Sequence, residues 1–157
     1  MEVSIKNITE NYRDRMERLV LLDPLYELSR KTARDKSGNI IDYYGLGLLT
    51  LLFFFENMLI RNKKAGAVEL AEFLIKLTDK KLDLDYETCI KLSREIIQAF
   101  RPASGKRNSR EFFNWETNRE EIIEYSILKA STYDARSNLQ YYELDEDGLE
   151  LIFATKE

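Results

Sequence analysis

The chain contains no histidine. That absence removes the Ser–His and Cys–His nucleophile systems and every His-based metal site. Its single cysteine, Cys89, excludes an intrachain disulfide and a thiolate metal cluster, and fits a reducing cytoplasm. Glycine (6) and proline (2) are scarce, which argues against a many-stranded sandwich or barrel. Residues 1–15 are polar and charged, so no secretory signal is visible. The longest apolar stretch, residues 45–55, stops at Glu56 and falls short of the roughly 20 residues a bilayer span needs. No membrane partner is expected, and no cofactor.

What is present is one domain's worth of chain. Its 157 residues are 44% apolar, enough for a real core, and 33% charged, as in a well-solvated, mostly helical surface. Net charge is −4. It is unevenly spread, because residues 91–110 carry +5 and the other 137 carry −9. A local basic zone thus sits on an acidic body, and the acidic body disfavours avid, sequence-independent nucleic-acid binding.

Hydrophobic periodicity predicts a first helix over residues 8–31, broken at Pro24. Residues 35–39 (DKSGN) form a turn. A strongly apolar helix over 43–62 follows, with no clean polar face, so it must be covered on most sides. A short amphipathic helix (66–77) and a polar connector lead to Asp85, a good N-cap for a helix that runs to Phe100 and stops at Pro102. Then the period changes. Phe112, Phe113 and Trp115 precede a turn at 117–119, residues 122–132 read as one extended segment, and Tyr141 and Tyr142 lie in a last strand, one facing the core and the other facing out. Helical character returns over 145–157. Helices first and antiparallel strands last predict an α+β fold.

Three features coincide: a short helix with the pattern 69–74 (ELAEFL), a following helix over 86–100, and a hairpin in which Tyr141-Tyr142-Glu143-Leu144 leads into Asp145-Glu146-Asp147-Gly148-Leu149. This order resembles a winged helix-turn-helix domain, in many members of which the last strand ends in a leucine followed by an acidic, Gly-containing turn and a helix. The resemblance covers residues 43–157 and implies a small three-stranded antiparallel sheet as the wing. The polar connection 78–85 departs from the compact turn of DNA-reading members. With the extra N-terminal helix and the segment 112–121 (FFNWETNREE), the chain more narrowly resembles the N-terminal region of bacterial kleisin-type subunits, MukF-like and related to condensin and Wadjet complexes. On that likeness the chain is a single winged-helix domain, 1–157. It comprises a helical extension (1–42), a helical core (43–110), a β-wing (111–145) and a C-terminal helix (146–157) that, lacking a C-cap glycine or proline stop, is expected to continue in a longer native chain.

The resemblance implies a cytoplasmic, non-enzymatic interaction and dimerisation module of a DNA-associated complex, with a homodimer and an SMC-like ATPase complex as partners. The alternative is a DNA-binding transcriptional regulator. Candidate interface residues are Leu51, Leu52, Phe54, Phe55, Met58 and Leu59, which equally read as the centre of the core. Candidate phosphate contacts are Lys91, Arg94, Arg101, Lys106, Arg107 and Arg110, with Lys129 and Arg136 added by the wing. They equally read as a solvated face, in which Lys91 pairs with Glu87 or Glu95 along the helix. The acidic runs 120–121 and 145–147 read as surface and helix entry, and no catalytic or metal set is assembled.

Overall fold

The computed structural model describes residues 2–103 and 107–156. Among them the chain forms α1 (Ile5–Thr9), α2 (Tyr12–Leu19), a 3₁₀ turn (Val20–Leu22), α3 (Asp23–Ser29), α4 (Tyr43–Leu59), α5 (Ala67–Thr78) and α6 (Tyr86–Phe100). These are followed by β1 (Asn108–Asn114), β2 (Arg119–Tyr125), β3 (Leu128–Asp134), β4 (Leu139–Leu144) and α7 (Glu146–Ala154). The fold is α+β, with the strands in two antiparallel two-stranded sheets, β1–β2 and β3–β4. No helix among the described residues is long and apolar enough to cross a membrane.

The helices start where short polar side chains can take up free backbone N–H groups. Asp42 accepts from the Gly45 N–H at the head of α4 (2.9 Å), and Asp85 from the Thr88 N–H at the head of α6 (2.8 Å). α4 is the centre of the molecule. Leu51 and Phe54 are fully buried, with Leu28 (α3), Leu70 and Leu74 (α5), Ile96 and Phe100 (α6) and Leu144 (β4) in the same core. Gly47 lets α3 approach, since a Cβ there would lie 2.7 Å from Leu28 Cδ1.

Three expectations need correction. The first helix is not continuous to Pro24. It breaks at Asn11, whose φ of +58° is left-handed, and again at the 3₁₀ turn, while Pro24 sits harmlessly in the first turn of α3. The second concerns the expected single sheet of three strands, which is instead four strands in two hairpins, because residues 122–132 are not one extended segment. The Ser126 N–H donates to Asp147 Oδ2 (2.8 Å), and the Ile127 carbonyl accepts from the Asp145 N–H (2.8 Å). The entry to α7 therefore clamps the link between β2 and β3. Burial records the same break, running through Ile123, Tyr125 and Ile127 in step and then taking in Leu128 as well. Gly148 permits this clamp, since a Cβ there would stand 2.3 Å from the Ile127 carbonyl oxygen.

The third correction concerns the tyrosine pair. Neither Tyr141 nor Tyr142 faces free solvent: Tyr141 is buried, and the Tyr142 ring meets Phe54 edge-on at 6.4 Å. β4 is covered on one side by α4. On the other side Gly66, just before α5, forms an antiparallel bridge with Tyr141, and the Tyr142 N–H donates to the Ala65 carbonyl.

Candidate interaction and nucleic-acid surfaces

The apolar run of α4 divides by helix geometry. Residues 51, 54 and 58 face inward, and residues 52, 55 and 59 lie along the adjacent stripe, about 100° round the helix. Leu51 and Phe54 are core, not interface. Met58 is half-buried, and its Sδ accepts the Leu144 N–H at 3.3 Å, which ties it to β4. Leu52 and Leu59 are 37% and 60% exposed, with the half-buried Phe55 between them. Phe55 meets Phe153 of α7 edge-on at 5.8 Å, and Phe153 is itself 56% exposed. An apolar patch is thus formed by Leu59 and Phe55 of α4 with Phe153 of α7, and the 3₁₀ turn carrying exposed Leu22 packs on α7, where Arg18 reaches Glu150 at 4.0 Å. Phe153 belongs to it and was not among the expected interface residues, because it lies on a separate helix whose own pattern points it inward.

The basic zone disperses. Arg110 turns to α3 and donates to Asp23 at 2.7 Å, which raises the guanidinium pKa. Arg107 lies 3.9 Å from Asp147, and Lys129 lies 3.6 Å from Glu143 across the β3–β4 ladder. Lys106 lies outside the described residues. Glu95 does not pair with Lys91. It takes Lys31 at 3.4 Å and the Tyr43 hydroxyl at 3.5 Å instead. What remains on α6 is an exposed stripe of Lys91, Arg94 and Gln98 at helical spacing, ending at the half-buried Arg101.

This stripe leads to the β3–β4 turn. A cavity of about 260 Å³ is lined by Arg94 and Gln98 from α6, Glu69 from α5, and Asn138 and Gln140 from the hairpin. A neighbouring cavity of about 510 Å³ shares Tyr141 with it and brings Lys63 and Lys64 together with Arg136. Lys64 also helps to hold the Asp134 carboxyl below its ordinary value, behind hydrogen bonds from Ser137 and Arg136. The fold thus groups Arg136 with Lys63 and Lys64, while Arg94 lines the separate cavity, with Lys91 further along α6. Lys63 and Lys64 were legible in sequence only as a charged connector (RNKK, 61–64). The Gly66–Tyr141 bridge is what places them beside the hairpin.

Comparison with known protein families, curated proteins and solved structures finds no match. The reading of these surfaces therefore rests on their chemistry.

The acidic side chains and the cysteine are engaged as follows. Among the described residues no group of three or more Asp, Glu or Cys side chains converges in a way that could hold a metal ion. Asp145 caps α7 by accepting from the Glu146 N–H (2.8 Å), and Asp147 is engaged by Ser126. Glu121 accepts from Arg13 at 2.8 Å, and the guanidinium, with Asn114 and Thr117, holds its carboxyl below the usual range. Cys89 is fully buried, and burial pushes its thiol pKa up, the reverse of a reactive thiolate.

Proposed function

We propose that the chain is a non-enzymatic docking module that pairs with a second copy of itself through the α4–α7 face, within a cytoplasmic, DNA-associated assembly of the condensin-like kind. The observation that carries this reading is the exposed stripe Leu52–Phe55–Leu59 with Phe153 against it. Aromatic and aliphatic side chains held on two packed helices are the usual anchors of a protein interface, and their rotamers are already restricted before a partner arrives. The order α4, α5, α6 and β3–β4, with the bridge at Gly66, supports the winged-helix likeness. The β1–β2 hairpin interposed after α6 is an addition to that plan.

The test is sedimentation equilibrium across concentration on the wild type, Leu59→Ser and Phe153→Ser. A dimer at tens of micromolar that both substitutions weaken is expected. A wild-type chain still monomeric at several hundred micromolar refutes the reading.

A second reading, phosphate-backbone binding by a DNA regulator, is favoured by the grouping of Arg136, Lys63 and Lys64, to which Arg94 on α6 would add a fourth contact. Four such contacts predict that a fourfold rise in salt weakens duplex binding roughly 150-fold. Titration of duplex DNA at two salt concentrations, with Lys63→Glu plus Arg136→Glu as the control, decides it. Salt-insensitive binding that the double variant leaves unchanged removes this reading.

A further inference from the structure

The β1–β2 hairpin stands apart from both surfaces. Its residues alternate strictly. On the inner face Phe112 stacks on Tyr12 of α2 (6.4 Å), Asn114, Ile123 and Tyr125 are buried, and Glu121 holds Arg13. On the outer face Glu111 lies opposite Ile122 and Phe113 opposite Glu120, with Ser109 opposite Glu124. All six are exposed, and Trp115, 60% exposed, continues the face by meeting Phe113 edge-on at 4.6 Å. Three carboxylates with no cation among them therefore alternate with Phe113, Ile122 and Trp115 on one flat surface.

The two edges of this hairpin are not equivalent. At the outer edge of β2, Arg13 of α2 donates from Nη2 to the Ile122 carbonyl at 3.0 Å. That carbonyl points away from β1, so Glu111 and Ile122 form a non-hydrogen-bonded pair, and the N–H and C=O groups of Ser109, Glu111 and Phe113 point away from β2. No backbone hydrogen bond to another segment reaches these groups among the described residues. β1 is thus an open edge whose outward residues are those that display the carboxylate and aromatic side chains. A depression of about 580 Å³ lies across the two strands, lined by Glu111, Phe112, Phe113, Glu120, Glu121 and Ile122.

We propose that the β1 edge receives an extended, basic segment of a partner protein, which adds as a third strand. The partner's backbone pairs with Ser109, Glu111 and Phe113. Its outward lysine or arginine side chains lie against Glu111 and Glu120, and its aliphatic or aromatic ones against Phe113 and Trp115. A cationic occupant is favoured because the carboxylates are unneutralised on this face and the aromatic rings attract cations. A second copy is disfavoured. Edge-to-edge pairing of two β1 strands would bring a second set of the same carboxylates onto this face, where like charges repel.

Trp115 is the only tryptophan and supplies the readout. The probe is a soluble peptide of alternating lysine and valine, with an alternating glutamate and valine peptide as control. The lysine peptide should shift Trp115 emission to the blue and lose affinity in salt, and the glutamate peptide should do neither. Glu111→Lys plus Glu120→Lys should weaken binding about tenfold or more. Ser109→Pro removes one outward N–H without touching the β1–β2 ladder and should also weaken it, with circular dichroism checking the fold. If Ser109→Pro misfolds, the charge-reversed variant decides alone. No blue shift with the lysine peptide at several hundred micromolar overturns the proposal. So does equal binding of both peptides, or unchanged affinity in the charge-reversed variant. A blue shift on raising protein concentration alone would assign the edge to a second copy, with the same consequence.

Discussion

Truncating Phe54 and truncating Leu59 should have opposite characters, although both come from the same apolar run of α4. Phe54 is fully buried and meets Phe53 at 5.3 Å and Tyr142 at 6.4 Å, both edge-on. Phe54→Ala removes the ring from the centre of the core and leaves a cavity between α4 and β4. Loss of transfer free energy plus the cavity costs about 3–5 kcal/mol. Against a total stability of about 5–15 kcal/mol, that is a large share or all of it. Leu59 is 60% exposed, and Leu59→Ala should change stability by about 0.5 kcal/mol or less in dilute solution. Urea unfolding followed by far-ultraviolet circular dichroism measures both, at concentrations low enough to keep the chain monomeric. Equal losses from the two substitutions would refute the division of α4 into a core stripe and an outer stripe. A large loss from Leu59→Ala alone would show that the outer stripe is buried in the monomer, and the self-association reading would fall with it.

Two further outcomes follow from close contacts. Gly148→Ala puts a methyl group 2.3 Å from the Ile127 carbonyl oxygen, so α7 must shift from the β2–β3 link. A loss of about 1–3 kcal/mol is expected in thermal unfolding, whereas helix propensity alone would predict a gain. The Asp35 carboxylate accepts from the Asp83 N–H (2.7 Å) and from Asn39 and Ser37, and these bonds hold its pKa at about 2 against an ordinary 3.8. Its contribution to stability is therefore present above pH 3.8 and lost as the pH falls through about 2. Acid titration of unfolding should show Asp35→Asn with a flatter curve than wild type in that window, and parallel curves would refute this role.

The local signals of the chain were strong and mostly sufficient. The cap at Asp85, the acidic entry at 145–147, the stop at Pro102, the apolar run 43–62 and the periodicity of residues 66–77 and 86–100 locate four helices, because such signals are local to the backbone they shape. The turn at 35–39 was equally legible, with Gly38 at a φ of +87°. The break at Ser126 was not. Its cause, the Asp147 carboxylate, lies 21 residues further on, and a run of alternating apolar residues reads as one strand until that contact is known.

The candidate sites divide in the same way. Composition alone removed histidine chemistry and disulfides, since no arrangement of the chain can supply a residue it does not contain. Charge counting found a basic zone in residues 91–110, but charges act through space. The fold spends Arg107 and Arg110 on Asp147 and Asp23 and draws Lys63 and Lys64 to Arg136 from a distant part of the chain. Hydropathy likewise found the apolar run of α4 without distinguishing Phe54 from Phe55. Adjacent residues on a helix point about 100° apart, and which of them meets β4 and which meets Phe153 at the surface is decided by how the surrounding elements pack.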